Sequence, residues 1–168
     1  MKLYLTIVLI ILAKFAFCQT KRFTVAQIDS ITAVIDSSKN YGSMIVDGII
    51  KNTPKGVIGK ILKKKTVGSF SDTYFNDKET RQLLKVIEEE EFKNFTRSSY
   101  YYKNDILIMA KITKRNIQTN ALISEGRYYF QQDSLIKKTG NYSLAKPILI
   151  LENGKRFRQE WASAKRLD

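Results

Sequence analysis

The feature that most limits how this chain can fold is a repeated aromatic hairpin. Tyr101–Ile108 (YYKNDILI) and Tyr129–Ile136 (YFQQDSLI) share an aromatic pair, an aspartate and a Leu-Ile pair at matched positions 28 residues apart. Aromatic and branched residues favour strands, and a short polar segment with aspartate favours a turn. Each copy therefore predicts a β-hairpin, and Tyr74–Leu84 fits the same unit with a longer turn. Three successive hairpins predict an antiparallel meander of about six strands.

An amphipathic helix is predicted before the hairpins. Thr24 and Gln27 have the spacing of a capping box, in which each side chain bonds the other residue's backbone N–H. Ile28, Ile31 and Ile35 follow at intervals that place them on one helical face. Such a helix needs an apolar surface to cover, and the sheet supplies one.

A second, basic helix is predicted at the C-terminal end. Asn153-Gly154 is interpreted as a break, after which Phe157, Trp161 and Ala164 recur three or four residues apart among lysines and arginines. Leu144–Leu151 fits either an edge strand or a helical turn. The predicted fold class is α+β, with both helices on one face of the meander.

The segment between the first helix and the hairpins is rich in glycine. Five of the chain's eight glycines fall between residues 40 and 68, where they interrupt apolar clusters. Because glycine lowers helix stability, we predict a basic connection over residues 40–68 whose apolar side covers an edge of the sheet. In a second interpretation, residues 54–65 form a short basic amphipathic helix on an anionic membrane surface.

The first residues predict export. Lys2 precedes the apolar run Leu3–Leu12, and small residues before Gln19 fit a cleavage site. We expect residues 1–18 to be a signal peptide and residues 19–168 to form one secreted or periplasmic domain. The alternative is an envelope protein anchored by lipid on Cys18.

The composition argues against several kinds of catalysis. The chain has no histidine, and Cys18 is its single cysteine. After cleavage behind Cys18 the chain would have neither residue, which excludes thiol, imidazole and zinc-site chemistry. The run Glu88–Glu91 is predicted to be a solvated strand end, since neighbours on a strand point to alternate faces and do not converge on one ligand. We expect no catalytic residue, no metal site and no cofactor.

Charge and aromatic residues together suggest a binding surface. The chain has 29 basic and 16 acidic residues, a balance that favours anionic partners. Since strand residues alternate in direction, one set of hairpin tyrosines is expected in the core and the other on an exposed face. The candidate binding residues are Arg97, Tyr100, Tyr102, Arg127 and Tyr128 in the hairpins, with Lys60, Lys63 and Lys64 in the connection.

The order of these features resembles that of a known group of proteins. A signal peptide, an amphipathic helix, hairpins such as Gly126–Phe130 followed by Leu135-Ile136, and a Lys/Arg-rich final helix are similar to small exported bacterial proteins of unknown function. A helix with an antiparallel meander also resembles the cystatin-like and β-lactamase-inhibitor-like arrangements. This resemblance implies a binding scaffold and no catalytic residue.

The expected function is therefore a non-enzymatic binding or interaction module with a basic surface. Its partner would be a protein or an anionic envelope component, including an anionic membrane surface, and nucleic acid is not expected. The alternative is a structural envelope protein held at the membrane by residues 54–65 or by a lipidated Cys18. An unpaired edge strand at either end of the meander could also recruit a partner strand, depending on its charge.

Overall fold

The computed structural model describes residues 22–52, 65–141 and 146–165. Within these ranges, seven antiparallel strands form one sheet whose spatial order follows the chain, and a helix lies near each end of the sequence. The predicted α+β meander with an N-terminal and a C-terminal helix is confirmed. The elements are α1 (Val25–Ser37), β1 (Tyr41–Asn52), β2 (Lys65–Asp77), β3 (Leu83–Glu91), β4 (Phe95–Lys103), β5 (Ile106–Arg115), β6 (Leu122–Gln131), β7 (Ser134–Gly140) and α2 (Pro147–Ala164).

The two matched hairpins have the same construction. Asn104-Asp105 joins β4 to β5, and Gln132-Asp133 joins β6 to β7, with φ between 49° and 62° at all four residues. Two-residue turns with positive φ match the right-handed twist of paired strands, and aspartate tolerates that conformation. The register also shifts at matched aromatic pairs, Tyr101/Tyr102 and Tyr129/Phe130. The two copies of the sequence repeat therefore form the same two-residue turn and have the same shift in strand register.

Helix α1 begins as predicted. Gln27 Oε1 accepts a hydrogen bond from Thr24 N at 2.9 Å, and Thr24 Oγ1 accepts one from Gln27 N at 3.3 Å. Ile28 and Ile35 are buried against the sheet, with Ile31 packed beside them. The capping box and the apolar face of this helix are confirmed.

The prediction that both helices lie on one sheet face is wrong. Tyr100 and Tyr102 pack in the cluster under α2, whereas Tyr101 packs in the cluster under α1. Because consecutive strand residues point to opposite faces, the two helices cover opposite faces. Three consecutive aromatic residues put large side chains on both sides of β4, and each side needs a cover.

The glycine-rich segment contains a strand that was not predicted. β1 occupies residues 41–52 and pairs along its length with β2, which begins at Lys65. The prediction of a connection throughout 40–68 is therefore wrong at both of its ends, and the meander gains a seventh strand. Glycine fits here because a Cβ at Gly48 would lie 2.2 Å from the ring of Phe70 on β2. Residues 53–64, with Lys60, Lys63 and Lys64, lie outside the described residues.

Helix α2 is longer than predicted. It begins at Pro147 and continues through Asn153-Gly154, so the predicted break is wrong and the end of Leu144–Leu151 is helical. A Cβ at residue 154 would lie 2.8 Å from Leu107 Cδ2, which means that glycine lets the helix approach the sheet closely. Neither helix in the described ranges is long and apolar enough to cross a membrane.

Candidate functional site

Three predicted binding tyrosines are not on the surface. Tyr100, Tyr102 and Tyr128 are each at most 1% exposed. The opposite set, Tyr101 and Tyr129, is also buried, at 3% each. The prediction that one set lines an exposed face is wrong, because α1 and α2 cover both sets.

These tyrosines instead attach the helices to the sheet. Under α2, the Tyr102 hydroxyl donates to the Gly154 carbonyl at 2.9 Å. Under α1, the Tyr129 hydroxyl donates to Asp29 Oδ1 at 2.9 Å, and Tyr101 donates to Asp36. Burial, followed by the charge of Asp36, raises the pKa of Tyr101 above its ordinary value. The hydroxyls therefore stay protonated and serve as donors.

The predicted binding arginines are exposed but paired with acids. Arg97 Nε lies 3.5 Å from Glu89 Oε1, its partner across β3 and β4. Arg127 Nε lies 3.7 Å from Glu125 Oε1, which also lies 3.5 Å from Lys111 Nζ. This surface beside α1 is a ladder of mixed charge rather than a purely basic face.

A polar cluster lies where β2 and β3 pass beneath α2. Asp72 and Glu88 stand directly opposite each other on these strands. Glu88 accepts hydrogen bonds from the Tyr100 hydroxyl at 3.2 Å and from Arg156 Nη2 at 3.1 Å. The Asp72 Oδ1 atom is buried and has no hydrogen-bond partner among the described residues.

The two carboxylates of this cluster have raised pKa values. Burial, followed by the charges of Glu90 and Asp72, raises the pKa of Glu88 to about 7. Burial also raises the pKa of Asp72, against the opposing effect of Arg156. The predicted solvated strand end is therefore wrong for Glu88, which points under the helix, while Glu91 is exposed. Two carboxylates that face each other could share a proton, but both oxygens of Glu88 already accept hydrogen bonds, from Tyr100 and from Arg156.

No metal centre is evident in the part of the chain that the structure describes. Its acidic residues do not form a group of three or more that could hold a cation.

Two open clefts flank Trp161 near the end of α2. They have volumes of about 510 and 560 Å³, and both are lined by Arg81, Trp161 and Lys165. The indole Nε1 donates to the Arg81 carbonyl at 3.2 Å, and the ring stacks on Tyr74 with centroids 6.4 Å apart. The two cations give these clefts a positive charge beside a fixed ring.

Among the described strands, β1 has the largest apolar exposure, and it forms one edge of the sheet. Ile45 is 61% exposed, Val46 44% and Ile49 56%. Along the twelve residues of this strand, Asp47 and Lys51 are the charged side chains. A long edge strand with few charges and no proline offers its outward N–H and C=O groups to another strand. The β-branched residues were the signal for this strand, and the glycines obscured it.

The opposite edge is protected. Strand β7 has only seven residues and carries Lys137 and Lys138 at its centre. Lysines on a short edge strand oppose pairing with another chain. The two edges of this sheet are therefore unequal, and β1 is the edge that can accept a partner strand.

Comparison of the chain with protein-family models, with curated proteins and with solved structures gives no match. The fold and the candidate site are therefore described from this chain alone.

Proposed function

We propose that this protein is an exported, non-enzymatic interaction module that binds a protein partner by strand addition at β1. The single observation that carries the proposal is the exposed apolar edge of β1, with Ile45, Val46 and Ile49 unpacked. An added strand gains main-chain hydrogen bonds along the edge and apolar contacts on either face.

The rest of the described surface supports a protein partner over an anionic one. The arginines predicted to bind anions, Arg97 and Arg127, lie beside Glu89 and Glu125. The clefts beside Trp161 are positive but open to solvent. The edge of β1, by contrast, has backbone groups and apolar side chains that lack a partner among the described residues.

Two features support a non-enzymatic role and export. The chain has no histidine, and its buried carboxylate Glu88 is engaged by Tyr100 and Arg156. The apolar run after Lys2 supports export. The membrane-associated alternative depends on residues 54–65 or on a lipidated Cys18, which lie outside the described residues apart from Lys65. Hydrolytic turnover by the purified protein would contradict the non-enzymatic role.

The proposal can be tested by photo-crosslinking in bacterial cells that export the chain. A photoreactive residue in place of Val46 should form a protein adduct, and one in place of Val34 should not. Both positions are exposed valines, with Val46 44% exposed at the edge and Val34 65% exposed on α1. Absence of an adduct at position 46 would refute strand addition at β1.

A second pair of variants separates strand pairing at the edge from nonspecific hydrophobic association. Ile49→Lys should abolish the adduct because a lysine protects an edge strand. Ile148→Lys should leave it unchanged, since Ile148 lies on α2 and is also 56% exposed. Equal loss in both variants would show that the adduct does not depend on β1.

A further inference from the structure

We infer that the strand added at β1 is β1 of a second copy of this chain, paired antiparallel with Ile49 on the two-fold axis. This inference rests on the proposed function and names its partner. It makes the protein a symmetric dimer in which one sheet continues through both copies.

The two-fold symmetry restricts the possible registers. Residues directly opposite each other in an antiparallel pair point to the same sheet face. A two-fold axis perpendicular to the sheet also keeps α1 of both copies on one side. Each residue of β1 must therefore lie opposite a residue whose number has the same parity. The axis then passes between the two copies of one β1 residue, which lie directly opposite each other.

Charge selects one register among these. With Ile49 on the axis, Asp47 of each copy lies directly opposite Lys51 of the other, which gives two ion pairs. Cross-strand pairs of opposite charge are favourable, and like charges directly opposite each other are unfavourable. An axis through Asp47 would place two aspartates opposite each other. An axis through Gly48 would place Asp47 opposite Ile49, without an ion pair.

The position of α1 favours the same register. The chain passes from the end of α1 at Ser37 into β1 at Tyr41, and Tyr41 packs against the cluster under α1. Its hydroxyl also donates to the Ile35 carbonyl. An axis at Ile49 places the partner strand along Val46–Asn52, away from this junction. The exposed side chains of Val46 and Ile49 then lie within the paired region.

Charge variants test the register directly. In Asp47→Lys, a lysine at position 47 of each copy lies opposite Lys51 of the other. In Lys51→Asp, an aspartate at position 51 of each copy lies opposite Asp47 of the other. Each variant alone should dimerise roughly tenfold more weakly than the unmodified chain, as judged by sedimentation equilibrium over a concentration series. An equimolar mixture of the two should recover dimers, because every pair then joins a lysine to an aspartate.

The mixture also controls for folding, since recovered dimers require that both variants are folded. Circular dichroism of each variant alone should match that of the unmodified chain, because Asp47 and Lys51 are exposed. Failure of the mixture to form more dimer than either variant would overturn the register. A monomeric unmodified chain at every concentration would overturn the second copy as partner.

Cysteine crosslinking gives an independent measurement. Ile49→Cys should form a disulfide-linked dimer on mild oxidation, since residues opposite each other on paired strands have Cα atoms about 4.5 to 5.5 Å apart. Val34→Cys, on exposed helix surface, is the matched control for background linking.

The mass of the photo-adduct at position 46 separates the two proposals. A mass of two chains supports both, a different mass supports strand addition but overturns the second copy, and no adduct overturns both.

Discussion

The two faces of the sheet hold their helices with the same chemistry but place the charges differently. Under α1, the tyrosine hydroxyls of Tyr101 and Tyr129 donate to Asp36 and Asp29, which belong to the helix. Under α2, Tyr74 likewise donates to Glu160 of the helix, but a strand carboxylate, Glu88, also accepts from Tyr100. The Asp36 side chain is 48% exposed, whereas that of Glu88 is 14% exposed.

This difference shows how the attachment of a helix to the sheet can depend on pH. A carboxylate at the exposed edge of a helix keeps most of its hydration while it accepts a hydrogen bond. A carboxylate on a strand beneath a helix loses hydration, and the neutral form is favoured there. We therefore expect the α2 face to lose stability as pH rises.

The largest expected effect is on the α2 face. Phe157 is fully buried, with its ring centroid 5.0 Å from that of Tyr100 and 6.0 Å from that of Tyr74. Phe157→Ala should lower the free energy of unfolding by about 4 kcal/mol, because it removes a large side chain and leaves a cavity. Denaturant unfolding measures this loss.

The matching change on the α1 face is Ile28→Ala, at a residue that is also fully buried. It should cost about 3 kcal/mol, since fewer atoms are removed. A larger loss from Ile28→Ala than from Phe157→Ala would contradict this ranking of the two faces.

Glu88→Gln should remove most of the pH dependence. The folded-state pKa of Glu88 is about 7, above its ordinary 4.5, so the folded state binds more protons between these values. Stability should therefore fall as pH rises from about 5 to about 8, by on the order of 2 kcal/mol. Glutamine does not ionise, so its curve should be much flatter over this window. Thermal unfolding across the window measures both.

The control for this variant is the adjacent residue. Glu89 points to the α1 face and lies beside Arg97. Glu89→Gln should retain the fall in stability of the unmodified chain. An equal flattening in both variants would mean that Glu88 is not the group responsible.

Removing a single hydroxyl from each face sharpens the comparison. Tyr102→Phe removes the side-chain donor to the Gly154 carbonyl in a fully buried site and should cost about 1.5 kcal/mol. Tyr129→Phe should cost about 0.5 kcal/mol, because Asp29 can bind water instead. Chemical denaturation of the two variants compares them, and equal losses would argue against the difference in burial.

The smallest expected effect concerns the exposed ion pairs. Arg97→Ala breaks a pair whose two side chains are 50% and 36% exposed. The free energy of unfolding should change by less than about 0.5 kcal/mol. A loss above about 1 kcal/mol in urea unfolding would show that the charge ladder beside α1 holds the fold together.

Local signals predicted the hairpins and α1 well. The turn at Asn104-Asp105 and its match at Gln132-Asp133 depend on residues close in sequence, and so does the capping box of Thr24 and Gln27. The faces of the two helices depend on residues far apart in sequence. The three consecutive tyrosines from Tyr100 were a usable signal, since both faces of that strand had to be covered.

The remaining errors have a common physical cause. Glycine was interpreted as an interruption, but Gly48 and Gly154 instead allow close approach, of Phe70 to β1 and of Leu107 to α2. A sequence shows that a Cβ is missing and does not show which neighbour fills the space. The burial of Glu88 was missed for a related reason, because Arg156, on the helix that covers it, lies 68 residues later in the chain.

The in-order meander also determines how the molecule can assemble in time. From β2 to β7, every strand pairs with its neighbour in the chain across a short connection, which closes at a small cost in entropy. The contacts that attach the helices span much longer separations, 86 residues for Tyr74 with Glu160 and 100 for Tyr129 with Asp29. We therefore expect the sheet to form hairpin by hairpin and the docking of the helices on its two faces to be the slow step.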